Sequence, residues 1–399
     1  MFDVCVVGGG IEGSATAYQL TRRGLRVLLL EQLVVCGTCM YLLFVLFSFS
    51  LPHSRGSSHG ATRITRRVYT QHPLYSDMME AAFQDWSEIA LLANQQLFIE
   101  TGALFISDPT KIDAFAESLI RKRLPFQRFS NTELNVAYSA HLNYPVPYEG
   151  LLDKSGGILR ADKCLQAFWK LIRHHGGEIL EETTLLDIHF SDSDDKMITL
   201  GTTKGRIRCR KVVLCLGPWS PMFLGKLGIP LPLRVETVAV CHWKPWKNSL
   251  DYQLESCPIL MIYEADSSDH FYGIPSLEHC GLFKFCFHGG PQISDPDERD
   301  IPDSSVFMDR LKSHVRNHLP GLDPEPRVVE KCIYTWTPRH NPILDYHPQS
   351  TNIIIGAGFS GHGFKLAPVI GSVLADLVEQ KKCKYDLSIF SLKKLKAHL

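Results

Sequence analysis

Three groups of residues in this 399-residue chain have types and spacings that could do chemistry. The first is Gly8-Gly-Gly-Ile-Glu-Gly13, with Glu31 eighteen positions beyond the last glycine. Gly8, Gly10 and Gly13 permit a tight turn, close approach of the backbone to a pyrophosphate, and close helix–strand packing. Glu31 can accept hydrogen bonds from ribose hydroxyls, so the group is suited to holding a dinucleotide. The second is another glycine-rich turn, Gly356-Ala-Gly-Phe-Ser-Gly-His-Gly363, with Lys365 just after it. The third is a scatter of cations, rings and one thiol: Arg63, Arg66, Tyr272, Lys284, His288, Cys332 and Tyr334. Each of these has an ordinary reading. Arg66 could be a solvated charge, Lys284 a surface lysine, the tyrosines core rings with satisfied hydroxyls, and His288 an exposed turn residue before Gly289-Gly290. Cys332 alone reads as a buried strand cysteine. No Ser–His–Asp set with a nucleophile elbow, no Walker-type loop and no metal cluster can be read from the chain.

The elements that must position these residues are legible around the first motif. Residues 2–7 form an apolar run, residues 11–23 have helical spacing through Ala15, Tyr18 and Leu20, and residues 25–30 are a second buried run closed by Glu31. In that order the helix presents the partial positive charge of its N-terminus to the phosphates. Residues 178–180, 211–217 and 352–355 read as further strands of the same unit, and a helix is predicted over 366–379. Residues 102–107, 235–243 and 271–288 have strand and hairpin character, and the proline- and acid-rich residues 294–303 read as a surface loop. The expectation is an α/β fold. A discontinuous nucleotide-binding Rossmann-like domain (1–97, 151–220 and 327–399) is interwoven with a mixed-sheet substrate domain (98–150 and 221–326).

Composition narrows the function classes. Forty-two basic residues balance forty-two acidic ones, which gives no support for nucleic acid or an anionic membrane as partner. The twelve cysteines are scattered, several within apolar runs, as in a reducing compartment. Residues 1–7 run straight into the glycine motif, leaving no room for a secretory signal. Ala397-His398-Leu399 has the small–basic–leucine form that a peroxisomal import receptor reads. Residues 33–51 carry no charge and are long enough for a membrane span, but they follow directly on the second strand, where a span would tear the sheet. A translated intron or other gene-model error is the preferred reading, ahead of a tolerated loop insertion. Cys36-Gly-Thr-Cys39 within the block lacks the context of a redox pair.

Four segments carry a resemblance: His53-Ser-Arg-Gly-Ser-Ser-His-Gly60, Thr62-Arg-Ile-Thr-Arg66, Cys332-Ile-Tyr-Thr335 and Gly358-Phe-Ser-Gly-His-Gly-Phe-Lys365. Together they resemble the monomeric sarcosine oxidase family, particularly its animal peroxisomal branch, over essentially the whole chain except residues 33–50. The resemblance implies a glycine-oxidase-type fold, a monomer, and FAD held covalently by a thioether from Cys332 to the 8α position. It implies that Arg66 and Lys365 meet a substrate carboxylate, that Tyr272, His288 and Tyr334 line the substrate, and that Lys284 promotes reaction with oxygen. His59, Thr62 and Arg63 would lie over the flavin ring, with Gly356, Gly358 and Gly361 shaping the cofactor turn. The implied reaction oxidises a secondary amino acid (L-pipecolate, sarcosine or, more weakly, L-proline), with electrons passing to O2 to give H2O2. The alternatives are a related flavin dehydrogenase that uses an electron carrier, a nicotinamide enzyme, and a non-catalytic variant disrupted by residues 33–50.

Overall fold

The computed structural model describes residues 1–32, 55–139, 141–190, 197–246, 252–254, 256–265, 267 and 269–396. The 33–50 block with its Cys36/Cys39 pair, His53, and the Ala397-His398-Leu399 end lie outside the described residues.

Fully apolar runs make the first sheet. Phe2–Val7, Val27–Leu30, the end of Gly205–Leu214 and Ser350–Ala357 are buried through their centres, as suits parallel strands covered on both faces. Phe2–Val7 pairs in parallel with Val27–Leu30 on one side and Gly205–Leu214 on the other, and the latter pairs with Ser350–Ala357. Glu178–Leu180 and Ile343–His347 extend the two sides, and the hairpin Leu185–His189/Ile198–Thr202 joins the first half of Gly205–Leu214. Alternation along each strand feeds two cores. Val4 and Val6 pack under the helices Ile11–Arg22, Ala161–His174 and Gly363–Glu379, while Cys5 and Val7 face a second cluster with Ile198, Val212 and Leu224. Among the described residues no helix is long and apolar enough to cross a membrane.

The second sheet has nine strands. In order they are Gln292–Ile293, Arg234–Pro245, Phe283–Phe287, His270–Pro275, Ile259–Tyr263, Ala103–Ser107, Glu149–Asp153 and Phe126–Phe129, with Leu322–Trp336 also paired to Arg234–Pro245. Leu322–Trp336 crosses the domain boundary expected at 326/327, so the strand bearing Cys332 belongs to this sheet throughout. One face of the sheet is hydrophobic: Trp243, Phe271, Phe283 and Phe285 form a core with Leu311 and Val315 of the helix Ser305–His318. The period of two then forces Lys284, Cys286 and Tyr272 onto the opposite face, toward the first sheet. A small sheet of Thr62–Thr65, Gly157–Arg160 and Phe98–Glu100 completes the fold.

Candidate active site

A cavity of about 920 Å³ runs from the glycine turn of the first sheet to the polar face of the second. At its near end, Gly8 has φ +103°, and a Cβ there would lie 2.2 Å from the Cys215 carbonyl oxygen. A Cβ on Gly13 would sit 1.8 Å from the Gly8 oxygen, so Gly13 serves the packing of helix on strand and does not line the cavity. The N-terminus of Ile11–Arg22 has no cap from the Gly10 side chain position, and the Ile11 N–H instead donates to Ser58 Oγ at 3.0 Å. Glu31 ends its strand buried, accepting from the Gly9 N–H at 2.7 Å, and lines the cavity. Glu12, in the first helical turn, has both carboxyl oxygens buried and, among the described residues, unpartnered, and burial pushes its pKa up to about 8. A tight glycine turn, a helix N-terminus that lines the cavity, an acid at the end of the second strand and an elongated cavity fit a dinucleotide.

The far end is laid out by strand register. On one face of the second sheet, His242 pairs with Val328 and Lys284; Val240 pairs with Glu330; Cys286 pairs with Tyr272; and Val238 pairs with Cys332. Cys332 is 8% exposed, packs with Val240 and Cys286, and lines the cavity. Lys284 is buried and gives hydrogen bonds to Thr62 Oγ1 at 3.1 Å and Glu278 Oε1 at 3.2 Å. That same Glu278 oxygen accepts from the backbone N–H groups of Ala61 and Thr62, both at 3.1 Å, and from Thr62 Oγ1 at 2.9 Å. Burial alone would raise the Glu278 pKa, but the Lys284 ammonium together with the hydrogen bonds the carboxylate accepts, including that from Thr62, holds the carboxyl ionised.

The remaining wall is cationic and aromatic. Arg66 is 5% exposed, lies 4.7 Å over the Tyr69 ring, donates to the Val68 carbonyl, and among the described residues leaves its Nε unpartnered. Lys365, in the first turn of Gly363–Glu379, donates to the Gly361 carbonyl at 3.0 Å; burial, then Arg66, pulls its pKa down to about 7. His288 is enclosed by rings at 5.1 Å (Tyr334), 5.3 Å (Trp336) and 4.7 Å (His270). Burial, then Lys365, lowers its pKa to about 3, so the ring is neutral. His288 is thus no exposed turn residue.

Of the residues singled out in the sequence, the cavity brings together Gly8, Gly10, Glu31, Thr62, Arg63, Arg66, Tyr272, Lys284, His288, Cys332, Tyr334, Gly358, Gly361 and Lys365. His59, Gly13 and Gly356 do not line it. The His59 ring turns back to the Gly56 carbonyl at 2.6 Å, and its own carbonyl accepts from Arg63. Gly356 packs beneath Leu374. Sequence reasoning missed Glu278, whose partners lie 216 positions away (Thr62) and six positions away (Lys284). It also missed His270, stacked 4.2 Å from Tyr263 with its Nε2 unpartnered among the described residues, which stands one position before the hairpin read over 271–288.

A family model described as FAD dependent oxidoreductase matches residues 3–377. Peroxisomal sarcosine oxidase of Homo sapiens is 37% identical over 408 residues, covering 100% of this chain and 98% of the relative. Monomeric sarcosine oxidase of Bacillus sp. (strain NS-129) is 31% identical, covering 98% and 96% respectively. The solved structure of NikD, an unusual amino acid oxidase essential for nikkomycin biosynthesis, shares the fold with a TM-score of 0.80 at 24% identity, covering 98% of this chain and 97% of that one. The chain belongs to the FAD-dependent oxidoreductase family, and within that family it stands with the monomeric sarcosine oxidases. FAD is therefore the dinucleotide for which the cradle is built.

Proposed function

We propose that this protein oxidises a small secondary amino acid at its C–N bond, with L-pipecolate and sarcosine ahead of L-proline, and with O2 as the final electron acceptor. The observation that carries this reading is the Arg66–Lys365 pair. Two buried cations share one wall, and among the described residues neither has a carboxylate at ion-pair distance. Two such charges without a counter-ion are expensive to bury, and a substrate carboxylate would relieve that cost. Arg66 would offer a planar fork and Lys365 a point charge. Neutral His288, with Tyr272 and Tyr334, would then enclose the apolar body of the substrate and exclude water.

When bound, FAD supplies the two-electron acceptor and returns those electrons to O2, which leaves as H2O2. The oxidised substrate would leave as an imine, which is hydrolysed or rearranges in solution. Lys284, held beside Thr62, places a fixed positive charge where superoxide charge would develop, which favours O2 over a protein carrier as oxidant. Cys332 is proposed to tether the cofactor as an 8α thioether, with Arg63 over the same region. The relatives' names and the Ala397-His398-Leu399 end support a monomer in the peroxisome.

Acid precipitation of the purified protein, followed by a peroxide assay over a panel of amino acids under air, tests the reading. Colour retained in the pellet and peroxide from L-pipecolate or sarcosine are expected. Colour lost to the supernatant would remove the covalent linkage, and substrate-dependent dye reduction without peroxide would favour the carrier-linked dehydrogenase.

A further inference from the structure

Beside Lys284, at the margin of the same sheet face and outside the cavity lining, three ligand-type side chains converge: His242, His279 and Glu330. Their donor atoms all lie within 4.8 Å of one another. His279 Nε2 is 3.2 Å from Glu330 Oε1, and His242 Nε2 is 3.8 Å from Glu330 Oε2. Ligands bound at about 2.0–2.1 Å in a tetrahedron stand roughly 3.3 Å apart, so His279 and Glu330 already stand at that spacing and His242 has to draw closer to complete it.

The decisive atom is His242 Nε2. The residue is fully buried, and among the described residues this nitrogen has no hydrogen-bond partner. At 3.8 Å the Glu330 oxygen is too distant to supply one. The other ring nitrogen, Nδ1, lies 3.2 Å from Ser276 Oγ, and Ser276 in turn reaches Glu278 Oε2 at 3.4 Å. With the Ser276 hydroxyl donating to the Glu278 carboxylate, Nδ1 carries the ring proton, and the bare Nε2 lone pair points at Glu330 and His279. An imidazole fixed in this way through its other nitrogen is the arrangement that orients metal-binding histidines. His279 and Glu330 are partly exposed, at 32% and 41%, which leaves an entry path on one side.

We propose that His242, His279 and Glu330 form a binding site for a divalent ion of the zinc class, with water completing a four-coordinate shell. Two imidazoles and one carboxylate suit such a borderline ion better than Ca²⁺ or Mg²⁺, which require mainly oxygen ligands. The residues lie 37 and 51 positions apart (242 to 279, 279 to 330), a spacing that matches no linear metal motif.

The test uses FAD-loaded enzyme stripped with chelator, dialysed and titrated with Zn²⁺ by calorimetry, with metal content measured after gel filtration. Wild type should hold one Zn²⁺ per chain. His279→Ala and Glu330→Gln, both at partly exposed positions, should each weaken binding by more than tenfold. Cys280→Ser controls for the exposed neighbouring thiol and should bind as wild type does. Unchanged melting temperature and flavin absorbance identify variants that remain folded. Zinc-edge X-ray absorption should show nitrogen and oxygen at about 2.0–2.1 Å and no sulfur near about 2.3 Å. Absence of binding in wild type, undiminished affinity in both ligand variants, or a sulfur shell abolished by Cys280→Ser would overturn the site.

Discussion

Lys365 and Arg66 set the most direct expectation at the level of single side chains. With its pKa near 7 in the free enzyme, Lys365 is charged below that pH and increasingly neutral above it. A bound carboxylate favours the ammonium and raises the pKa again, so affinity for a carboxylic acid should be full below about pH 7. It should weaken above that point by up to tenfold per pH unit. Flavin difference spectra with a non-oxidisable acid between pH 6 and 9 would measure this, and Lys365→Met should flatten the curve. Arg66→Gln removes a charged hydrogen-bond donor, worth about 1.5–3 kcal/mol, and should raise the dissociation constant roughly 10- to 150-fold. Lys284→Met should slow reoxidation by O2 by about 10²–10³-fold in stopped-flow measurements while leaving anaerobic reduction by substrate far less affected. These residues were within reach of sequence reasoning because each stands in a contiguous motif. Glu278 was not, because it acquires meaning only once Thr62 and Lys284 are folded against it. Nor was His288 legible as a residue enclosed by rings, since those rings come from residues 270, 334 and 336.

Among the elements, the front strand–turn–helix was legible because its signals are local. The predicted helix over residues 11–23 is observed as Ile11–Arg22, and the predicted helix over 366–379 begins earlier, at Gly363. The early start follows from the glycine turn, which carries straight into the helix and draws Lys365 into its first turn. Close packing of the two helices depends on Gly371, whose added Cβ would lie 2.6 Å from the carbonyl carbon of Ala15. Gly371→Val should therefore cost about 1–3 kcal/mol by overpacking, visible as a lower melting temperature and reduced flavin content. The strand Leu322–Trp336 was harder to assign, because its alternation of Tyr334, Cys332 and Glu330 with Thr335, Ile333 and Lys331 does not reveal which sheet it joins. Its eleven paired positions along Arg234–Pro245 settle that. Deleting one residue from it would turn Cys332 away from the cavity, and a protein so altered should lose acid-stable colour even where it still folds.

On the scale of the whole molecule, the glycine cradle belongs to the first sheet and Cys332 to the second. Cys332→Ser should leave FAD bound only by reversible contacts, so its melting temperature should climb with added free FAD, whereas that of the wild type should not. The 920 Å³ cavity between the two sheets could not be foreseen from either domain alone, since its lining alternates between them along the chain. A thioether at one end and a dinucleotide grip at the other would make the cofactor a structural crosslink as well as a reagent. Because the dinucleotide grip exists only in the folded chain, the tether would stabilise the native state by binding and oblige both halves to come apart together. A single calorimetric transition in the wild type, and two in cofactor-free Cys332→Ser, would be the signature of that stapling.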